Sequence, residues 1–356
     1  MKDPFFIPPI SAFEEWVRPY AEKYHMTVFP QHAHEVIAAA LLYTFIHRVI
    51  SPWLSNKYAA AYYPTDKGKR ASWDSHVVSL FQSTLICIVA LYVTFTDKER
   101  ASMDWQARIW GYTGASGLVQ SLAAGYFVWD FCITVANLKV FGLGLLAHAV
   151  SALSVYSLGY RPFLNYYATV FILYELSTPF LNIHWFFDKL GMTGTKAQLY
   201  NGIVLLATFF SARLIWGVGQ SVIVWYDMYR AIFVGPNTEY MSVTPANEKL
   251  PGTEDIMRYA KEAGPLPIWL AAIYLLSNIT LNTLNFYWFA KMIKAVRKRF
   301  EPGANKAKTE PEKLKVTLPA GAATANDIAE KIDELRRRHN LPDIDIEITD
   351  DLADVQ

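Results

Sequence analysis

Charge drops out of this chain for long intervals, and those intervals set its architecture. Ser75 to Thr96, Val140 to Tyr160 and Ala263 to Ala290 contain no Asp, Glu, Lys or Arg. Ile109 to Asn137, Pro162 to Phe187 and Ala197 to Tyr226 each hold a single charge, at Asp130, Glu175 and Arg213. A weaker window, His34 to Leu54, carries His47 and Arg48. Apolar stretches of about 18 residues or more predict membrane spans. In lipid a span must be helical, because nothing else satisfies its backbone polar groups. The pattern therefore predicts an all-α polytopic membrane protein of about seven transmembrane helices.

The flanks read differently. Residues 1–33 form an N-terminal arm with no apolar core of signal-peptide length, and 34–54 form the first span. Within the arm, Phe13 to Tyr24 places Trp16 and Tyr20 among charges. That segment reads either as a short interfacial helix or as a solvated arm. Residues 298–356 read as a polar cytosolic tail, largely disordered. They comprise a Lys-, Pro- and Ala-rich linker, a short helix from Asn326 to Arg338 and an acidic end.

Composition sharpens this reading. The chain has 356 residues, and its 18% charged content lies below the quarter usual for soluble domains. A net charge of +1 lacks the basic excess of a nucleic-acid binder. Cys87 and Cys132 both lie in apolar runs, which argues against a disulfide framework, and the scattered histidines predict no metal site. Basic residues are split almost evenly between the two membrane faces. The cluster Lys291, Lys294, Arg297, Lys298 and Arg299 directly follows the last window, which predicts a cytosolic C-terminus.

Polar groups inside spans are the candidate chemistry. An ionisable residue at a helix centre costs roughly 2.5–3.5 kcal/mol on insertion scales and usually faces the bundle interior. Glu175, Thr178 and Asn182 fall at i, i+3 and i+7 of one window. Asn278, Asn282 and Asn285 follow a similar spacing in the last, Arg213 and Gln220 share a face of the sixth, and His148 and Ser151 share one of the fourth. Asp130 lies about 9 Å from one end of its span at 1.5 Å per residue. These groups predict a polar chamber in one half of the bundle. For each, a second reading stands. The asparagines also serve as packing glue, Asp130 also fits a cap or a partner for Lys139, and His148 also fits an interior histidine. Glu175 calls for a partner or a proton, and Arg213 is the candidate partner.

The order of motifs resembles the TLC-domain family, which includes the ceramide synthases. The resemblance starts at Ala71-Ser72-Trp73. It continues through Gly125-Tyr126-Phe127-Val128-Trp129-Asp130 and Ala147-His148-Ala149-Val150-Ser151, and is most specific from Glu175 to Trp185. It spans 71–297 and implies a six-helix TLC bundle in the endoplasmic reticulum membrane, preceded by one extra span. Ceramide synthases carry a histidine pair and an aspartate pair. Here Ala147 replaces the first histidine, and Thr178 and Pro179 offer no second carboxylate. The chain is similar to the members outside the ceramide synthases, whose roles concern membrane lipid composition.

Two functions follow. The first is lipid homeostasis, with membrane lipids bound in a chamber of Asp130, Ser151, Asn182, Arg213, Asn282 and Asn285. The second is acyl-CoA-dependent N-acylation of a lipid amine, with His148 as general base and Glu175 relaying protons. Neither needs a cofactor, since acyl-CoA is a substrate in the second. Membrane lipids are the expected partners, nucleic acid is not, and no protein partner is indicated.

Overall fold

The computed structural model describes residues 1–5, 7–161, 163–235, 256–260, 265–300, 314–318 and 346–350. The chain divides into two units, Met1–Ala290 and Lys291–Gln356.

The first unit is helical. Helix α1 spans Ser11–Lys23, and α2 runs Phe29–Tyr58 with a π-helical stretch at Ile46–Ile50. Helix α3 spans Lys67–Thr96 and starts where the Asp66 side chain accepts from Lys69 N at 2.9 Å. Two short helices, Lys98–Ala101 and Trp105–Trp110, lead to α4 (Gly114–Ala136), capped by the Thr113 hydroxyl at Ser116 N. Such caps satisfy backbone donors that a helix start leaves orphaned. Helix α5 spans Leu138–Leu158. The fifth window then breaks into α6 (Asn165–Phe171), a 3₁₀ stretch (Ile172–Ser177) and α7 (Thr178–Lys189). Helix α8 runs Lys196–Phe233 through a π-helical stretch at Phe210–Trp216. The long helix α9 spans Ile268–Phe300.

Among the described residues, five helices, α2, α3, α4, α5 and α8, are long and apolar enough to cross a membrane. The fold is thus a polytopic helical one, with three differences from the sequence expectation, the first being that α9, which holds the last window, is not among these five. The first span is longer than 34–54 and starts inside the expected arm. The fifth window is not one continuous α-helix, because Pro179 lacks the N–H that an α-helix through it would need and instead sits in the first turn of α7.

Helix α4 lies at the centre, against α2, α3 and α5. Its partners bury Tyr43, Ile86, Val93 and Ala123 completely. A second cluster joins Tyr167 and Phe171 to Val224, Met228 and Tyr274. Large apolar side chains also point outward, among them Leu41, Phe95, Leu143, Ile215 and Leu276. A soluble protein would hide most of these, whereas a lipid solvent accepts them. Val17 and Ala21 seat α1 on Ala33, while Trp16 and Tyr20 stay exposed.

In the second unit, Leu314–Leu318 (β1) pairs in parallel with Ile346–Asp350 (β2), Leu314 opposite Ile346. The acidic end expected to be disordered therefore contains a strand. Ile346 and Ile348 alternate with polar residues as a strand requires. The helix expected at Asn326 to Arg338 lies outside the described residues.

Candidate functional site

The two breaks in α-helical geometry build the central polar site. The 3₁₀ stretch carries Glu175 and Ser177, and the π stretch in α8 carries Arg213. A π stretch widens the turn and often marks a functional site. Gly217, just beyond it, lets α8 approach closely, since a Cβ there would lie 2.1 Å from the Tyr174 ring. Arg213 is buried and lies 3.7 Å from the Glu175 carboxylate, which is buried as well. Its guanidinium donates to Ser177 Oγ at 3.1 Å, Thr178 Oγ1 at 3.0 Å and Asn285 Oδ1 at 3.0 Å. The Phe209 ring lies 5.0 Å from it. One cation thus ties the 3₁₀ stretch, α7 and α9 together.

The last span's asparagines divide their work. Asn282 accepts from Tyr174 Oη at 3.2 Å and donates to Ser221 Oγ at 2.9 Å. Asn278 accepts from Trp225 Nε1 at 3.0 Å. These bonds join helices, so this pair acts as packing glue. Asn285 alone of the three binds Arg213.

Two cavities meet at this site. One, of about 40 Å³, is lined by Glu175, Arg213, Asn285, His148 and the aromatic rings of Phe127 and Tyr274. The other, of about 300 Å³, is lined by Asp130, Asn182, Ser79, His76 and again His148 and Glu175. His148 and Glu175 therefore form a shared wall. Ser151 is buried and, like Asn282, lines neither of these cavities. No ion pair joins Asp130 to Lys139 among the described residues.

The TLC domain matches residues 72–294, well over half of the chain. The chain belongs to the TLC-domain family. A TLC domain-containing protein of Schizosaccharomyces pombe is 36% identical over 288 residues, covering 81% of this chain and 87% of its own length. Topoisomerase I damage affected protein 4 of Saccharomyces cerevisiae is 28% identical, covering 76% and 86%. TLC domain-containing protein 4 of Homo sapiens is 26% identical, covering 69% and 81%. Every residue of the two cavities lies inside the TLC domain, so the chamber is part of the shared domain and not of the N-terminal extension.

Within the TLC domain, sequence reasoning missed His76. Its Nδ1 lies 2.7 Å from Asn182 Oδ1, and its ring stacks on Trp185 at 4.0 Å. The Asn182 amide nitrogen donates to Ser79 Oγ and Thr178 O, both at 3.0 Å, which fixes the amide orientation. Asn182 Oδ1 therefore accepts, and Nδ1 of His76 carries the proton. The signal was present in the sequence, as a histidine inside the Ser75 to Thr96 window. His148 is placed differently. Its Nδ1 is buried and meets no hydrogen-bond partner among the described residues. Its ring sits between Phe127 at 6.4 Å and Trp288 at 5.7 Å.

Proposed function

We propose that this TLC-domain protein binds membrane lipid in the two joined cavities and regulates lipid composition without chemical turnover. The observation that carries this reading is the state of the shared wall. A general base works when a second group orients its imidazole and fixes its tautomer. His148 has no such group on Nδ1, and Glu175 is engaged by Arg213. The wall instead offers polar atoms beside aromatic rings, which suits an amphipathic molecule lodged in place. N-acylation is the competing reading: a lipid amine would attack the acyl-CoA thioester, with His148 taking the amine proton and the CoA thiol leaving.

Purified protein incubated with long-chain acyl-CoA and a sphingoid base distinguishes the two. We expect lipid to copurify, by mass spectrometry, and no N-acyl product to form. Product that disappears in a folded His148→Ala variant would overturn the binding reading, since losing a positioned base typically costs roughly 100- to 10,000-fold.

The reading puts the protein in the endoplasmic reticulum with its C-terminus in the cytosol. The basic cluster from Lys291 to Arg299 at the end of the last span supports the orientation, and the family resemblance supports the organelle. A glycosylation sequon engineered near Lys2 is expected to be modified, and one near Lys308 is expected to stay bare. The reverse pattern would invert the orientation.

A further inference from the structure

A second polar cavity, of about 660 Å³, lies away from the chamber, at the starts of α2 and α4. Its walls include His32 and Glu35 from the first turns of α2, Gly114 from the first turn of α4, and Tyr112 just before it. Both helices enter their spans here, so the cavity lies at headgroup level. Exposed Trp16 and Tyr20 on neighbouring α1 fit that depth, where amphipathic rings collect.

The cavity floor is a built hydrogen-bonded chain. His32 Nδ1 lies 2.7 Å from Glu35 Oε2, and His32 Nε2 lies 2.6 Å from Tyr112 Oη. His32 and Glu35 are only 4% and 7% exposed. Gly117 makes room for this arrangement: a Cβ there would lie 2.6 Å from His32 Nε2 and 2.9 Å from Tyr112 Oη. A bond from Tyr112 N to Ile256 O, at 2.8 Å, draws the 256–260 segment over the cavity.

Charges of both signs line the cavity, with Glu14 among them held by Arg18. Asp3 joins Glu35 on the wall, and Lys2 and Arg258 also line it. Asp3 Oδ2 is buried and meets no donor among the described residues, and the Asp3 carboxyl lies within hydrogen-bond reach of Glu35. Burial and the neighbouring Glu35 carboxylate push the Asp3 carboxyl up to about 6. Two neighbouring carboxyls, Glu35 buried and Asp3 half-buried, are satisfied by sharing a proton or by a cation that brings several hydrogen-bond donors. A quaternary ammonium brings none and seeks aromatic faces instead. The faces here are already taken, because the Arg258 guanidinium lies 4.9 Å from both the Tyr112 and the Tyr259 rings.

We propose that this cavity binds a phospholipid headgroup carrying a primary ammonium beside its phosphodiester. Asp3 and Glu35 accept from the ammonium, and Lys2 and Arg258 hold the phosphate. The site lies outside the chamber and largely outside the TLC domain, so it stands whether or not the chamber reading does.

Native mass spectrometry of the full chain in mild detergent, titrated with single lipids, tests this. Phosphatidylethanolamine is expected to bind about ten-fold more tightly than phosphatidylcholine, a gap of roughly 1.4 kcal/mol. Asp3→Asn, and separately Asp3→Asn with Glu35→Gln, are expected to bring the two lipids within about two-fold. Asp3→Asn leaves the His32–Glu35 bond in place, and unfolding temperatures without lipid show that each variant is folded. Equal affinity for the two lipids in the unmodified protein would overturn the proposal. So would a preference that survives in the folded variants. Binding of soluble phosphoethanolamine without binding of the lipid, or equal stabilisation by calcium ion alone, would also overturn it.

Discussion

Replacing Arg213 with glutamine is expected to destabilise the detergent-solubilised protein by about 3–5 kcal/mol, the usual cost of removing one partner from a buried ion pair. The change leaves the Glu175 carboxylate buried 3.7 Å from where its cation stood, and takes the donors from Ser177, Thr178 and Asn285. Glu175→Gln is expected to cost less, because Arg213 keeps its three bonds to neutral oxygens. Combining the two changes should then cost less than their sum, since each single variant strands the other member of the pair. Chemical unfolding of the four proteins, followed by tryptophan fluorescence, reads this out. Strictly additive costs would mean that the ion pair contributes nothing and that Arg213 acts only through its hydrogen bonds.

That pair also marks the limit of what spacing conveys. The spans are legible because the absence of charge over 18 residues is a property of composition and needs no knowledge of neighbours. Facial arithmetic needs an unbroken 3.6-residue period, and here the period breaks twice. Glu175, Thr178 and Asn182 were expected on one face and all line the larger cavity, but through a 3₁₀ stretch and the first turns of α7 and not along one α-helix. Glu175 turns to Arg213, and Asn182 turns to His76 and Ser79. Arg213 likewise sits inside a π stretch, so its angular relation to Gln220 does not follow the α-helical count. Nothing local in Phe210–Trp216 announces that stretch, and its register depends on partners that arrive from α7 and α9. His76 escaped for a different reason, because it is the second residue of the Ser75 to Thr96 window, at the edge of the span and not in its middle. His32 and Glu35 escaped because they fall at the edge of the first apolar window, where a span was expected to begin and not a site. The tail's strand was readable, since Leu314, Val316 and Leu318 alternate with Lys315 and Thr317, and Ile346 and Ile348 answer them. The charge of that segment hid a period of two.

The second large expected effect lies away from the chamber, at the end of the bundle where α4 starts. Asp227, near the end of α8, is 1% exposed. It accepts a two-pronged bond from Arg108, with Nε at 2.7 Å and the terminal nitrogen at 2.9 Å, and a third bond from Tyr167 Oη at 2.7 Å. Arg108 comes from the short helix before α4, and Tyr167 from α6, so the carboxylate pins three separate segments. Unlike Glu175 and Arg213, these partners differ in their access to water, since the Arg108 side chain is 24% exposed. Losing either one therefore has unequal consequences. Arg108→Met leaves a buried carboxylate held by a single tyrosine, and should cost about 3–5 kcal/mol. Asp227→Asn keeps an acceptor for Tyr167 and leaves Arg108 able to turn to solvent. It should cost roughly half as much, in the range of a lost charge-assisted hydrogen bond of about 1.5–3 kcal/mol. Unfolding midpoints in one detergent measure the order directly. If Asp227→Asn is the more damaging change, the buried carboxylate is not what Arg108 is there to neutralise, and the contact owes its stability to packing of the Arg108 stem against Tyr166, whose ring lies 5.9 Å from the guanidinium.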